Sequence, residues 1–122
     1  MLPGMLTVHA YEKCSTCRNA LKWLREHGIP HVVKPIRENP PTPAEIRAVL
    51  KATGGDPRRL FNTSGNDYRE LGIKKLLPAM SESEAVTLLA GNGNLVKRPF
   101  VCGDGIHLAG FKPDEWTQAF RK

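Results

Sequence analysis

Leu6-Thr7-Val8-His9-Ala10 is short, apolar and β-favouring, and it stops at the polar pair Glu12-Lys13, which predicts a first and central strand. The hydrophobic period then changes. Cys17, Ala20, Leu21 and Leu24 recur at helical spacing, so a helix is expected from near Ser15, with Gly28 as a left-handed stop before Pro30. His31-Val32-Val33-Lys34, closed by Pro35, predicts a second strand. Together the three pieces make a β-α-β unit, whose parallel strands are joined by a right-handed crossover.

From about residue 40 to residue 90 the pattern is helical. Thr42-Pro43-Ala44-Glu45 combines an N-cap threonine, proline at the first helical position and glutamate at the third, ahead of an apolar stripe of Ile46, Val49 and Leu50. Gly54-Gly55 closes that helix. Tyr68 to Leu71 predicts a short helix ended by Gly72, and Ser81-Glu82-Ser83-Glu84 opens another, with Ala85, Leu88 and Leu89 inward and Gly91 after it. Pro40-Pro41 reads as a linker. Strand chemistry returns in Arg98-Pro99-Phe100-Val101-Cys102 and Ile106-His107-Leu108-Ala109, joined by Gly103-Asp104-Gly105 as an antiparallel hairpin. A last helix follows Lys112-Pro113, with Trp116, Ala119 and Phe120 on one side. No internal repeat or low-complexity tract interrupts this order.

The candidate chemistry sits at the first strand-to-helix turn, in Cys14-Ser15-Thr16-Cys17. A helix N-terminus carries partial positive charge and unpaired N–H groups, which stabilise a thiolate placed there. Cys14 is therefore the expected nucleophile, with positive charge from Lys13 and Arg18 beside it. Cys17 lies one helical turn on, within reach of the Cys14 sulfur, and could resolve a mixed disulfide by forming an intramolecular one. The competing reading is half a zinc site. Zinc needs about two further ligands, usually in a second spaced pair, and Cys102 with the scattered His9, His27, His31 and His107 offers no such pair. No metal is expected. Cys102 alternates with Phe100 in a strand and is expected to be an inert buried thiol, while the histidines are expected to be structural or exposed.

Composition narrows the class without changing that picture. A chain of 122 residues with 40% hydrophobic and 25% charged residues suits one globular domain over 1–122, and neither disorder nor a membrane class. The net charge of +6 is spread among acidic residues rather than gathered in a basic tail. Small anions or acidic protein faces are expected as partners, and neither direct nucleic-acid binding nor a membrane. Met1 to Met5 has no positive region and no long apolar run, so no signal peptide is expected. Three cysteines with one C-x-x-C beside a β-α turn favour a reducing compartment, and a cytoplasmic location is expected. No glycine-rich phosphate loop follows a strand, so no nucleotide or flavin cofactor is expected.

A β-α-β unit with C-x-x-C at its first turn, a hairpin that starts at a proline and a closing helix resemble the thioredoxin-like fold. The helical stretch narrows the resemblance. Cys14 followed by Arg18-Asn19-Ala20, the stretch Leu60-Phe61-Asn62-Thr63-Ser64-Gly65 with Tyr68-Arg69-Glu70-Leu71-Gly72, and Arg98-Pro99-Phe100-Val101 together resemble the arsenate-reductase-like family of ArsC, YffB and the Spx-type regulators. The resemblance implies an α/β fold: a four-stranded mixed sheet with helices on both faces, a core of about 5–38 and 95–122, and a helical insert of about 40–92.

For the site, the resemblance implies a nucleophilic Cys14 and an anion-holding Arg98 beside a cis-proline, Pro99. Aligning on Tyr68 and Pro113 puts Asn62 and Lys112 where arsenate reductases of this type carry two more arginines. Lysine gives charge without the planar fork, and asparagine gives no charge, so efficient arsenate reduction is not expected. Ser15 and Thr16 of the turn complete the expected substrate-binding set. The implied activity is thiol-disulfide exchange on a small oxyanion or disulfide substrate. Glutathione would serve as co-substrate, or glutaredoxin or thioredoxin as reductant. The alternatives are a genuine arsenate reductase and an Spx-like redox switch that binds the RNA polymerase α subunit.

Overall fold

The structure is a computed structural model that describes residues 5–103 and 105–121. Its sheet has four strands, β1 (Leu6–Ala10), β2 (His31–Pro35), β3 (Phe100–Gly103) and β4 (Ile106–Ala109), in the order β2-β1-β3-β4. β1 is central, as its composition predicts: it pairs parallel with β2 and antiparallel with β3, and β3 pairs antiparallel with β4. Pro35 is the last residue of β2 rather than its terminator, because proline is tolerated at the end of an edge strand. Val32 and Val33 on that edge stay 45% and 47% exposed. The predicted turn residue Asp104 lies outside the described residues.

The alternation of β1 sorts the core into two layers. Leu6, Val8 and Ala10 face helix α1 (Ser15–Glu26) and helix α6 (Pro113–Phe120), where Cys17, Ala20, Leu24, Val101, Leu108 and Trp116 are buried with them. Trp116 anchors this layer: it is 1% exposed, donates its indole N–H to the Gly110 carbonyl at 3.1 Å, and meets Phe111 and Trp23 edge-on. Trp23 itself is half-buried and stacks on His27.

The opposite face of the sheet, carrying Phe100 and Cys102, is covered by the helical insert. Helix α2 (Pro43–Ala52) opens with the predicted capping box at Thr42 and Glu45, and buries Ile46, Val49 and Leu50. Helix α5 (Glu82–Gly91) opens with the same device at Ser81 and Glu84. Its inward stripe differs from the expected one. Ala85, Val86 and Leu89 are buried while Leu88 is half-buried at the margin, and the helix runs through Gly91 instead of stopping before it. Between them lie helix α3 (Asn66–Glu70), two residues earlier than predicted, and an unpredicted single turn, helix α4 (Ile73–Leu76), which begins after the left-handed Gly72 (φ 66°). Chain 57–60 forms a further 3-10 turn capped by Asp56. Among the described residues no helix is long and apolar enough to cross a membrane. The arrangement is the thioredoxin-like α/β fold with a helical insert.

Candidate active site

Cys14 is the N-cap of α1, with extended backbone (φ −92°, ψ 117°). Its own amide donates to the Tyr11 carbonyl at 3.0 Å and its carbonyl accepts the Arg18 amide at 3.0 Å, which fixes the turn. No side chain caps the helix and its first turn holds no acidic residue, so the N–H groups there remain free for an anion. The Cys14 side chain is half-buried at the mouth of a cleft of about 630 Å³.

Cys17 lies beneath it and is fully buried. Burial pushes the Cys17 thiol up to about 12, opposed by a hydrogen bond from the Tyr11 backbone and reinforced by a hydrogen bond to the Cys14 sulfur and that sulfur's charge. The positive charge of Arg98 acts in the lowering direction. The two cysteines thus share one environment but not one role: one sulfur reaches the cleft, and the other is held as a thiol under it.

Arg98 comes from the segment just before β3, and the Arg98-Pro99 peptide bond is cis, as expected from the resemblance. Three backbone hydrogen bonds set the segment in place. Lys97 N–H donates to the Leu60 carbonyl at 2.8 Å and Asn62 N–H to the Leu95 carbonyl at 2.7 Å, so the 60–62 and 95–97 stretches are laced together. On the other side the Gly110 amide donates to the Pro99 carbonyl at 2.8 Å. Gly110 favours glycine because its φ of 83° is left-handed backbone that strains an L side chain. The Arg98 guanidinium lies over the Tyr11 ring, 5.0 Å from its centroid. Its Nη1 is buried without a hydrogen-bond partner among the described residues.

Cys14, Ser15, Thr16, Asn62, Arg98 and Lys112 all line this one cleft. Of the remaining expected site residues, Cys17 lies below the floor and Pro99 is buried behind Arg98. Asn62 lines the cleft, its carbonyl accepts the Gly65 amide at 3.1 Å in the turn that leads into α3, and its side-chain amide donates to the Asn94 carbonyl at 3.5 Å. Lys112, the N-cap of α6, is exposed and its ammonium stands 3.7 Å from Glu115 in the first turn of that helix, which screens part of its charge. Arg18, expected to supply charge beside Cys14, is exposed on α1 and does not line the cleft.

Tyr11 and Lys97 belong to the site and were not expected. Lys97 could have been found as the neighbour of Arg98. Tyr11 carries no such signal, because its role comes from stacking between Arg98 and Arg37, whose guanidinium is 5.3 Å from the ring centroid. Lys13, Lys97, Arg98 and Lys112 line the cleft, and no acidic residue does among the described residues. Such a lining favours anions.

A thioredoxin-like sheet with a cysteine at the first helix N-terminus and an arginine before a cis-proline across from it defines the class. Residues 9–119 match the ArsC family, and the chain belongs to that family. The uncharacterized protein YusI of Bacillus subtilis strain 168 is 44% identical over 113 residues, 93% of this chain and 96% of that one. A possible arsenate reductase from Streptococcus mutans UA159, solved as a crystal structure, is 38% identical with a TM-score of 0.84, over 93% of this chain and 98% of that one. The global transcriptional regulator Spx of Staphylococcus epidermidis RP62A is 27% identical over 111 residues, 91% of this chain and 83% of that one.

Proposed function

We propose that this ArsC-family protein is a thiol-disulfide oxidoreductase, with Cys14 as nucleophile and Cys17 as resolving thiol. The observation that carries the reading is the pairing, in one cation-lined cleft, of an accessible sulfur above a buried one with an arginine N–H that has no partner. An unpartnered buried donor is costly by itself. A bound anionic group, such as the carboxylate of a glutathione moiety or the oxygen of a small oxyanion, would satisfy it.

Cys14 thiolate attacks one sulfur of a substrate disulfide, the S–S bond breaks, and the other sulfur leaves as a thiolate. Arg98, Lys97 and the α1 N-terminus hold the anionic part of the substrate. In the mixed disulfide Cys14 no longer carries charge and no longer accepts from Cys17, so two of the three causes that hold Cys17 as a thiol vanish. Cys17 then gives its proton to the departing thiol and attacks the Cys14 sulfur, leaving a Cys14-Cys17 disulfide. Two equivalents of glutathione, or the dithiol of glutaredoxin or thioredoxin, return two electrons and restore the start. No metal or organic cofactor enters any of these steps.

Arsenate is the weaker substrate on this reading, because Asn62 and Lys112 stand where the resemblance expects arginines. A second reading, a redox switch on the RNA polymerase α subunit, draws support from the relative named Spx. Turnover decides between them. Hydroxyethyl disulfide with glutathione should be reduced catalytically and arsenate slowly, and Cys14→Ser should abolish both. Stoichiometric oxidation without turnover, together with capture of the α subunit by one redox state only, would replace the enzyme with the switch.

A further inference from the structure

On the face of the sheet covered by the helical insert, three potential metal donors converge from three elements. His9 of β1, Cys102 of β3 and Glu45 of α2 place one ligand atom each within 4.8 Å of one another. Strand pairing explains the first two: Thr7 pairs with Cys102 and His9 with Phe100, so His9 and Cys102 are diagonal neighbours on one face. The capping box explains the third. Thr42 N–H donates to Glu45 Oε1 at 2.9 Å, which turns Oε2 toward Cys102, whose thiol donates to it at 3.1 Å.

His9 is 1% exposed, and its Nε2 has no hydrogen-bond partner among the described residues. Its Nδ1 lies 2.9 Å from the Asn39 carbonyl and must carry the ring proton in the neutral form, which leaves a lone pair on Nε2. That lone pair stands 3.8 Å from Glu45 Oε1. With the proton on Nδ1, His9 Nε2 and Glu45 Oε1 are two acceptor atoms turned toward each other.

We propose that His9 Nε2, a Glu45 carboxylate oxygen and Cys102 Sγ form a transition-metal site, and that Zn²⁺ is the ion it fits. Tetrahedral Zn²⁺ with bonds of about 2.0–2.3 Å holds its donors roughly 3.3–3.8 Å apart; here Cys102 Sγ is 3.1 Å from Glu45 Oε2, His9 Nε2 is 3.8 Å from Glu45 Oε1, and the three donors lie within 4.8 Å of one another, so a small inward shift brings them to that spacing. A metal-bound histidine characteristically donates its other N–H to a backbone carbonyl, as His9 does to Asn39. On binding, the Cys102 S–H bond breaks, its proton passes to solvent and a sulfur–metal bond forms. The thiolate and carboxylate then neutralise the dication. Glu45, 30% exposed, opens the site toward water for the fourth position. Lys34 of β2, opposite His9 in the strand register, is the nearby cation and opposes binding, but it is exposed and screened.

The test must silence the other pair of thiols, so it uses the Cys14→Ser/Cys17→Ser protein, in which Cys102 is the one remaining cysteine. Titration with Co²⁺ should give a thiolate-to-cobalt charge-transfer band and the visible bands of four-coordination, saturating at one equivalent and displaced by Zn²⁺. Cys102→Ser in that background should remove the charge-transfer band, and His9→Gln should weaken binding by more than the roughly 100-fold ceiling typical of an outer partner. A double variant without a charge-transfer band, or a band that survives Cys102→Ser, overturns the site. Should the added substitutions unfold the chain, zinc X-ray absorption of the double variant decides: one sulfur with nitrogen and oxygen neighbours supports the assignment, and any other sulfur count refutes it.

Discussion

The charge on Cys14 should control the reactivity of Cys17, and alkylation kinetics can read that directly. A thiol at about 12 instead of 9.0 carries, below pH 9, roughly a thousandth of the thiolate of an ordinary thiol. Iodoacetamide reacts with the thiolate, so Cys17 in the reduced protein should label about 10³-fold more slowly than a free thiol on protonation grounds alone. Full burial slows it further. Cys14→Ser removes the neighbouring charge and weakens the hydrogen bond while leaving the burial intact, which imitates the state of Cys17 once a substrate is attached to Cys14. Labelling of Cys17 should accelerate in that variant by about tenfold or more. Peptide-resolved mass spectrometry at pH 8, with urea unfolding run in parallel to confirm equal stability, separates this from loosening of the fold. If Cys17 labels at a free-thiol rate in the unsubstituted protein, or at an unchanged rate in Cys14→Ser, the proposed hand-over from nucleophile to resolving thiol fails.

Removing the anion-holding donor with Arg98→Gln should lower kcat/KM for hydroxyethyl disulfide with glutathione by about 10²-fold, the usual cost of losing one donor to a developing or bound anion. Adding donors with Asn62→Arg and Lys112→Arg should raise arsenate turnover above that of the unsubstituted protein, and no rise would make the two departures from arginine irrelevant. Cys17→Ala should let a mixed disulfide on Cys14 accumulate, visible as a mass increase, where the unsubstituted protein passes on to its internal disulfide. Burial, with Glu45 beside it, pushes the Cys102 thiol up to about 12 from 9.0, so the stability it contributes is complete below pH 9 and lost as pH rises toward 12. Between pH 9 and 11, urea unfolding under reducing conditions should therefore show stability falling about 1 kcal/mol per pH unit more steeply than in Cys102→Ala.

Much of the fold was legible because its signals are local. The capping boxes at Thr42 and Ser81, the period change from β1 to α1 and the glycine-closed hairpin are each set by a few adjacent residues, and each appears where its pattern put it. Val86 is inward in place of Leu88 because the face of α5 is chosen largely by its packing against α2, which lies about 40 residues away in the sequence. The cleft was legible in six of its residues through Cys14 and the motif order. Tyr11 was not, since an aromatic three residues before a cysteine has no periodicity to betray it until Arg98 and Arg37 are brought against its ring.

The two buried thiols show why residue type alone left the far side of the sheet unread. Cys17 and Cys102 have nearly the same burial and are both pushed up to about 12, yet they lie on opposite faces of one sheet. What differs is the partner. Cys17 donates toward a sulfur that loses its charge during the proposed reaction, so its surroundings change with each step and can release it. Cys102 donates to a carboxylate held by the Thr42 amide, whose charge no step of that reaction removes. A metal cation would bind that carboxylate and the Cys102 thiolate together, with the thiol proton released to solvent. The unpartnered Nε2 of His9 marks where it would sit. Sequence spacing searches for ligands in pairs, C-x-x-C or H-x₃-H, whereas His9, Glu45 and Cys102 are gathered singly from a strand, a helix and a second strand by the register of β1 with β3 and by a helix cap.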